Sequence, residues 1–126
     1  MKYSRLWEVE GFKAIAPYKR VLKALISPDL QGSKNVSVGM TLLPSGSKSS
    51  YHAHEGEEEI WFVTSGRGKA IVGEESIPIE KDTAIYVPPG VKHQLVNTSD
   101  ETLKVLWIFS PPGPEKAFIG KKMGRA

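Results

Sequence analysis

The sequence predicts an all-β sandwich or barrel, and three observations favour that fold class. Apolar residues recur with period two, the apolar runs are short, and turn residues interrupt them at close intervals. The chain has 126 residues, of which 40% are hydrophobic and 25% charged. This composition suits one folded domain and excludes disorder of the whole chain.

The first 33 residues are predicted to form N-terminal strands. Three apolar stretches fall within them, at residues 6–9, 12–16 and 19–26. A helical turn is the alternative for residues 21–26, but β-branched residues near Pro17 and Pro28 favour a strand.

Residues 34–110 are predicted to form the body of the barrel. Apolar residues alternate with small polar ones from Val36 to Leu42, which indicates a half-buried strand that ends at the turn 44–46. Residues 103–109 are apolar on both faces and predict a central strand or one covered by a partner. Further strands are predicted at residues 59–64, 69–72, 83–87 and 93–96, with turns at 65–66, 73–76 and 88–90.

Residues 111–126 are predicted to be a C-terminal tail that either packs on the barrel or frays. The tail follows the segment Ser110-Pro111-Pro112-Gly113-Pro114. Proline has no backbone N–H to donate, so a strand ladder cannot continue through this segment.

Composition excludes several classes of function. The chain has no cysteine, which rules out disulfides, thiolate metal sites and cysteine nucleophiles and fits a reducing cytoplasm. Its net charge of +3 is not concentrated in a basic patch, so we expect no nucleic-acid partner. The longest apolar run has five residues, against about 20 for a spanning helix, and the N-terminus lacks a signal peptide, so we expect a cytoplasmic protein without a membrane partner.

The three histidines of the chain predict a metal site. His52 and His54 are one residue apart, so in an extended chain both imidazoles point to one face. Glu59 follows five residues later, and His93 comes after the Pro88-Pro89-Gly90 turn. Three imidazoles and a carboxylate suit one divalent transition metal ion, namely Mn, Fe, Co, Ni, Cu or Zn, and disfavour Mg and Ca.

The spacing of these residues resembles both motifs of the cupin family, in its small single-domain form. The first motif is matched by Gly46, His52, His54, Glu59 and Gly66, and the second by Pro88, Gly90, His93 and Asn97. One position departs, because Asp82 stands where the second motif opens with glycine; we expect an altered turn there and an intact metal site.

The resemblance implies a double-stranded β-helix, or jelly-roll barrel, with metal ligands His52, His54, Glu59 and His93. Glu58 is the alternative carboxylate, but neighbouring residues of a strand face opposite ways, so only one of the two can point inward. We assign Glu55 and Glu57 to a solvated loop.

The resemblance also implies functions, which range over dioxygenases, decarboxylases, lyases and sugar isomerases. We expect a metal-dependent enzyme that acts on a small organic acid, enol or sugar-derived compound, with a non-catalytic binding module as the alternative and a metal-free structural protein as a third reading. Similar barrels pair as homodimers by adding N-terminal strands to the partner's sheet, and we expect a homodimer here.

Residues beside the predicted ligands raise two further questions. No general base is evident, and the candidates are only sequence neighbours of the ligands: Tyr51, Glu58, Tyr86 and Gln94. Large aromatic residues are expected mainly in the core, with about one in three lining a ligand cavity; these are Trp61, Phe62, Tyr86, Trp107 and Phe109.

Overall fold

The computed structural model describes residues 2–126 and confirms the all-β barrel predicted above. Within those residues there are ten strands and three short helical segments. The strands are β1 (Phe12–Ala14), β2 (Arg20–Ile26), β3 (Ser37–Leu43), β4 (Glu58–Ser65), β5 (Arg67–Val72), β6 (Glu75–Glu80), β7 (Ala84–Val87), β8 (His93–Val96), β9 (Leu103–Ser110) and β10 (Met123–Gly124). The helical segments are a 3-10 turn at Leu6–Glu8, helix α1 at Pro28–Gln31 and a 3-10 turn at Pro114–Ala117.

Two sheets enclose the interior of the barrel. The larger has the strand order β10-β1-β2-β3-β9-β4-β7, and the smaller has the order β6-β5-β8. All neighbouring strands are antiparallel except β1 and β10, which are parallel. No helix in this described range is long and apolar enough to cross a membrane.

The core forms where inward-facing side chains of the two sheets meet. Leu43, Val63, Leu103 and Val105 are completely buried, and each contributes about 1.5–3 kcal/mol relative to an exposed side chain. Gly39 lies opposite Trp107 in the β3–β9 ladder, and a Cβ atom at Gly39 would overlap the indole ring. Glycine at this position therefore lets Trp107 lie flat against β3 on the inner face.

The N-terminal region differs in part from the prediction. The strand predicted at residues 6–9 is wrong, because Leu6–Glu8 form a 3-10 turn. The strands predicted at residues 12–16 and 19–26 are confirmed by β1 and β2. Helix α1 was not predicted; Ser27 caps it by accepting a hydrogen bond from the Leu30 N–H at 3.2 Å, and Gly32 ends it with φ of 78°.

One strand of the small sheet was also missed. The turn predicted at 73–76 is shorter, and β6 begins at Glu75 and pairs with β5 along its whole length. Pro78 lies within β6, which weakens the strand signal in the sequence. The structure tolerates this proline because β6 is at the edge of its sheet.

The C-terminal tail packs on the barrel. Phe118 lies against Phe12 and Trp107, with ring centroids 6.0 and 5.9 Å apart. Glu115 is fully buried, and its Oε1 accepts hydrogen bonds from the Ser37 hydroxyl at 2.6 Å and the Gly113 N–H at 3.0 Å. The tail thereby closes one side of the barrel interior.

Candidate metal centre

Backbone pairing brings the three histidines together. His52 and His93 exchange two hydrogen bonds, at 3.2 Å from the His52 N–H and 2.8 Å from the His93 N–H. The Gly90 N–H donates to the His54 carbonyl at 2.8 Å, and Gly90 has φ of 75°, a conformation that glycine adopts readily. The turn before β8 therefore holds the segment 52–54 against the strand that carries His93.

The carboxylate comes from the opposite sheet. Glu59 is on β4, where it is 5% exposed, whereas Glu58 is exposed on the outer face. The Glu58 carboxylate accepts a hydrogen bond from the Tyr86 hydroxyl at 2.8 Å. Of the two candidate carboxylates, only Glu59 faces the histidines.

Four side chains form the histidine-glutamate cluster: His52, His54, Glu59 and His93. One ligand atom from each histidine lies within 4.8 Å of the others. Glu59 Oε1 is 3.2 Å from His93 Nε2 and 3.9 Å from His54 Nε2. The donors therefore converge on one point.

Neighbouring groups fix the orientation of these donors. His93 Nδ1 lies 2.8 Å from the Val91 carbonyl and His52 Nδ1 lies 2.9 Å from the Ser50 carbonyl, so each ring uses Nδ1 outside the cluster. The Trp61 indole N–H donates to Glu59 Oε2 at 2.7 Å, which leaves Oε1 for the cluster.

Two buried atoms in the cluster have no hydrogen-bond partner among the described residues. They are Glu59 Oε1 and His93 Nε2, which are close enough for an ion pair but not aligned for a hydrogen bond. Buried polar atoms without partners are costly and occur at sites that bind something. Nitrogen and oxygen donors of this kind fit a divalent transition ion.

The environment keeps two of the imidazoles neutral. Burial, followed by the nearby His93, lowers the pKa of His52 and of His54 to about 4. Burial also lowers the pKa of His93, but the Glu59 carboxylate and the Val91 carbonyl outweigh it, and the net shift is upward. The neutral form of His52 and His54 is the form that binds metals.

A cavity of about 330 Å³ opens over the cluster, at the lower end of the range for ligand pockets, about 300–1,000 Å³. Its apolar walls include Trp61, Trp107 and Phe109, which are buried in the core, as expected, and also face the cavity. Phe62 and Tyr86 are neither core nor cavity residues, because they are 36% and 54% exposed on the outer face of the large sheet.

The residues proposed as bases lie mostly elsewhere. Glu58 and Tyr86 face outward, Tyr51 is 48% exposed, and the Gln94 amide donates to the Ser49 carbonyl at 2.7 Å. Across the described part of the chain, the cavity lining holds only one ionisable side chain besides the cluster, that of Arg20.

Sequence reasoning missed Arg20 and the tail as parts of the site. Pro114, Ala117 and Phe118 form one wall of the cavity. The tail gave no signal, but Arg20 did, because it has the same strand phase as the buried Leu22 and Ala24. Period-two phase therefore predicts that Arg20 points inward.

The departure from the second cupin motif is accommodated. Asp82 has φ of 68°, in the left-handed region that glycine favours and that aspartate tolerates better than most residues. The Asp82 N–H donates to the Val63 carbonyl at 2.8 Å. The chain turns into β7 with aspartate in the left-handed conformation.

Comparisons with known proteins agree with this fold. A model of the cupin domain matches residues 39–109. An uncharacterized protein of Streptomyces coelicolor is 35% identical over 114 residues, which are 89% of this chain and 98% of that protein. An oxalate-binding protein of Thermotoga maritima is 29% identical over 68% of this chain and 70% of its own. The crystal structure of a predicted oxalate decarboxylase, also from Thermotoga maritima, superposes with a TM-score of 0.76 at 24% identity, covering 86% of this chain and 97% of that one.

Proposed function

Because this chain belongs to the cupin family, we propose that it is a metal-dependent enzyme acting on a small organic acid, enol or sugar-derived compound. The histidine-glutamate cluster would hold one divalent transition ion (Mn, Fe, Co, Ni, Cu or Zn), and the reaction would be of the dioxygenase, lyase, decarboxylase or isomerase type. The observation that carries the proposal is the pair of buried, partnerless atoms Glu59 Oε1 and His93 Nε2 beside two neutral imidazoles.

The chain itself supplies binding and orientation. Such an ion, when bound, supplies Lewis acidity at coordination positions left open to a ligand. Trp107 and Phe109 form apolar walls of the cavity beside the cluster, and Trp61 holds the Glu59 carboxylate by its second oxygen. A ligand in the cavity is thereby oriented against the cluster.

Two adjacent glutamates give a matched test of the metal site. We expect Glu59→Gln and His93→Gln to lose most bound metal, because each removes a donor of the cluster. Glu58→Gln is the control, since Glu58 faces outward and should retain the metal of the wild type. Elemental analysis of untagged protein, before and after reloading with zinc, gives the stoichiometry. A wild type that cannot be loaded, or equal occupancy in Glu59→Gln and Glu58→Gln, contradicts the proposal.

A binding module is the second candidate, and two observations favour it. The oxalate-binding protein of Thermotoga maritima is 29% identical to this chain, and no side chain suited to general base catalysis lines the cavity outside the cluster in residues 2–126. Turnover distinguishes the two candidates. Protein loaded in turn with each of the six metals should consume oxygen or a member of a panel of diketones, hydroxy acids and uronates. Stoichiometric metal without any turnover would favour the binding module.

We also propose that the protein is a homodimer. Apolar side chains of β4, β7 and β9 lie side by side on the outer face of the large sheet, where Ile60 pairs with both Tyr86 and Ile108 and Phe62 pairs with Leu106. Ile60 and Phe62 are 39% and 36% exposed. A second copy of the chain would bury this face. Pairing of N-terminal strands with a partner's sheet would need a free edge on β1, but β10 pairs with β1 there. The outer face is therefore the better dimer surface.

Light scattering coupled to size-exclusion chromatography tests the dimer. Phe62→Lys places a charge in the centre of the outer face and is expected to give a monomer. Leu30→Lys is the control, because Leu30 is 48% exposed on α1, away from that face. A monomeric wild type, or a Phe62→Lys variant that remains dimeric, contradicts the proposal.

A further inference from the structure

Arg20 is a buried cation in the wall of the cavity. It is 6% exposed and faces inward from the first position of β2. Nη1 makes its hydrogen bonds, to the Tyr18 carbonyl at 2.8 Å and, more weakly, to the terminal oxygen of Ala126, the last residue of the chain, at 3.4 Å. Nε and Nη2, the pair that can bind a carboxylate side-on, have no partner in residues 2–126.

No carboxylate side chain in that range lies within ion-pair distance of Arg20. A guanidinium remains charged under physiological conditions, and burying it without a counter-charge is costly. Burial lowers the pKa of Arg20, which is the expected mark of a poorly compensated cation. No side chain in residues 2–126 therefore offsets the charge of Arg20, and the oxygen of the last residue, Ala126, lies 3.4 Å from Nη1.

Arg20 and the histidines enter the same cavity from different backbone levels of the barrel. The segment 47–52 runs alongside β8 and the residue after it. The Ser49 N–H donates to the Leu95 carbonyl, and the Asn97 N–H donates to the Ser47 carbonyl. The Ser47 hydroxyl in turn donates to the carbonyl of Lys19, the residue before Arg20. Four residues of extended chain correspond to about 13 Å between these two backbone levels, and the side chains of Arg20 and His93 both enter the cavity from them. A ligand that touches both groups therefore needs two polar groups joined by a carbon skeleton.

We infer that Arg20 is an anion subsite and that the ligand is an elongated organic acid, with oxygen donors at the histidine-glutamate cluster and a second carboxylate at Arg20. The walls between the two ends include Leu22, Trp107 and Phe118, which suit an apolar skeleton. The free donor pair Nε and Nη2 matches the two oxygens of a carboxylate. This inference rests on the proposed function, because the first end of the ligand binds at the metal.

Calorimetric titration of zinc-loaded protein with simple acids tests the subsite; zinc is chosen because it has no redox chemistry. The probes are the dicarboxylates from oxalate to adipate and monocarboxylates of the same carbon number. We expect the best dicarboxylate to be longer than oxalate and to bind at least tenfold more tightly than its matched monocarboxylate. The ratio of these two affinities, dicarboxylate to matched monocarboxylate, should fall below threefold in Arg20→Gln. The affinity for the monocarboxylate should stay within threefold of wild type.

The controls separate a binding role from a structural one. Arg67→Gln removes an exposed arginine of β5 and should retain the wild-type ratio. If Arg20→Gln does not fold, Arg20→Lys replaces it, since lysine keeps the charge but loses the paired donors; the ratio should then fall at least threefold. An Arg20 that only anchors Tyr18 and Ala126 would change the melting temperature without changing the ratio.

Zinc content is measured on every sample, so that the two hypotheses can fail separately. Normal zinc uptake with an unchanged ratio in the Arg20 variants, or with oxalate as the tightest ligand, overturns the anion subsite alone. A wild type that takes up no zinc overturns the proposed function and the subsite with it.

Discussion

Ser37→Ala is expected to destabilise the protein through the C-terminal tail. The Ser37 hydroxyl donates to Glu115 Oε1 at 2.6 Å, and both residues are completely buried. Removing one partner of a buried polar group costs about 1–3 kcal/mol, and the alanine leaves Gly113 as the one remaining donor to the Glu115 side chain in residues 2–126. We expect the free energy of unfolding to fall by about that amount.

Two measurements follow this change. For a chain of this size, 1 kcal/mol shifts the melting temperature by about 4 °C, so Ser37→Ala should melt roughly 4–12 °C lower. The amides of Phe118 and Ile119, which donate to the Glu115 carbonyl, should exchange their hydrogens faster than in the wild type.

An exposed serine provides the control. Ser76 lies on β6, and Ser76→Ala should change the free energy of unfolding by less than about 0.5 kcal/mol. If Ser37→Ala costs no more than Ser76→Ala and leaves exchange in the tail unchanged, the buried hydrogen bond does not hold the tail, and the reasoning is refuted.

Two further predictions concern the cluster. Trp61→Phe removes the N–H that donates to Glu59 Oε2 and should weaken zinc binding about tenfold in competition with a chromophoric chelator; unchanged affinity would show that the carboxylate needs no such support. In metal-free protein, the pKa values of His52 and His54 in the folded state are about 4, below their ordinary 6.5. Between pH 4 and 6.5 the unfolded chain therefore binds more protons than the folded one. The free energy of unfolding should then decrease as the pH falls from 6.5 to 4. The raised pKa of His93 contributes stability that is lost only as pH rises above 6.5, so it does not oppose this trend. Thermal unfolding after chelation measures the effect, which His52→Gln combined with His54→Gln should flatten.

The strands of the barrel could be predicted because the alternation of apolar residues is a short-range signal, and the cluster because its spacing resembles the cupin motifs. One-residue spacing places His52 and His54 on one face, and the alternation of β4 separates Glu59 from Glu58. The structure brings the four predicted residues together, while their role as metal ligands stays a prediction.

The features that were missed depend on contacts between distant parts of the chain. Ser37 and Glu115 are 78 residues apart, and neither shows in sequence that it is buried against the other. Arg20 gave a signal through its strand phase, but an arginine among lysines on an apolar strand is usually assigned to the surface.

The residues proposed for ligand selectivity and those proposed for metal binding come from separate parts of this chain. The region that matches the cupin domain, 39–109, contains the whole histidine-glutamate cluster. Arg20 and Phe118, which bound the cavity, come from segments on either side of that region, which pair with each other through β1, β2 and β10. Grafting these two flanks together onto another barrel of the family should therefore transfer the preference for a ligand while leaving the recipient's ion in place.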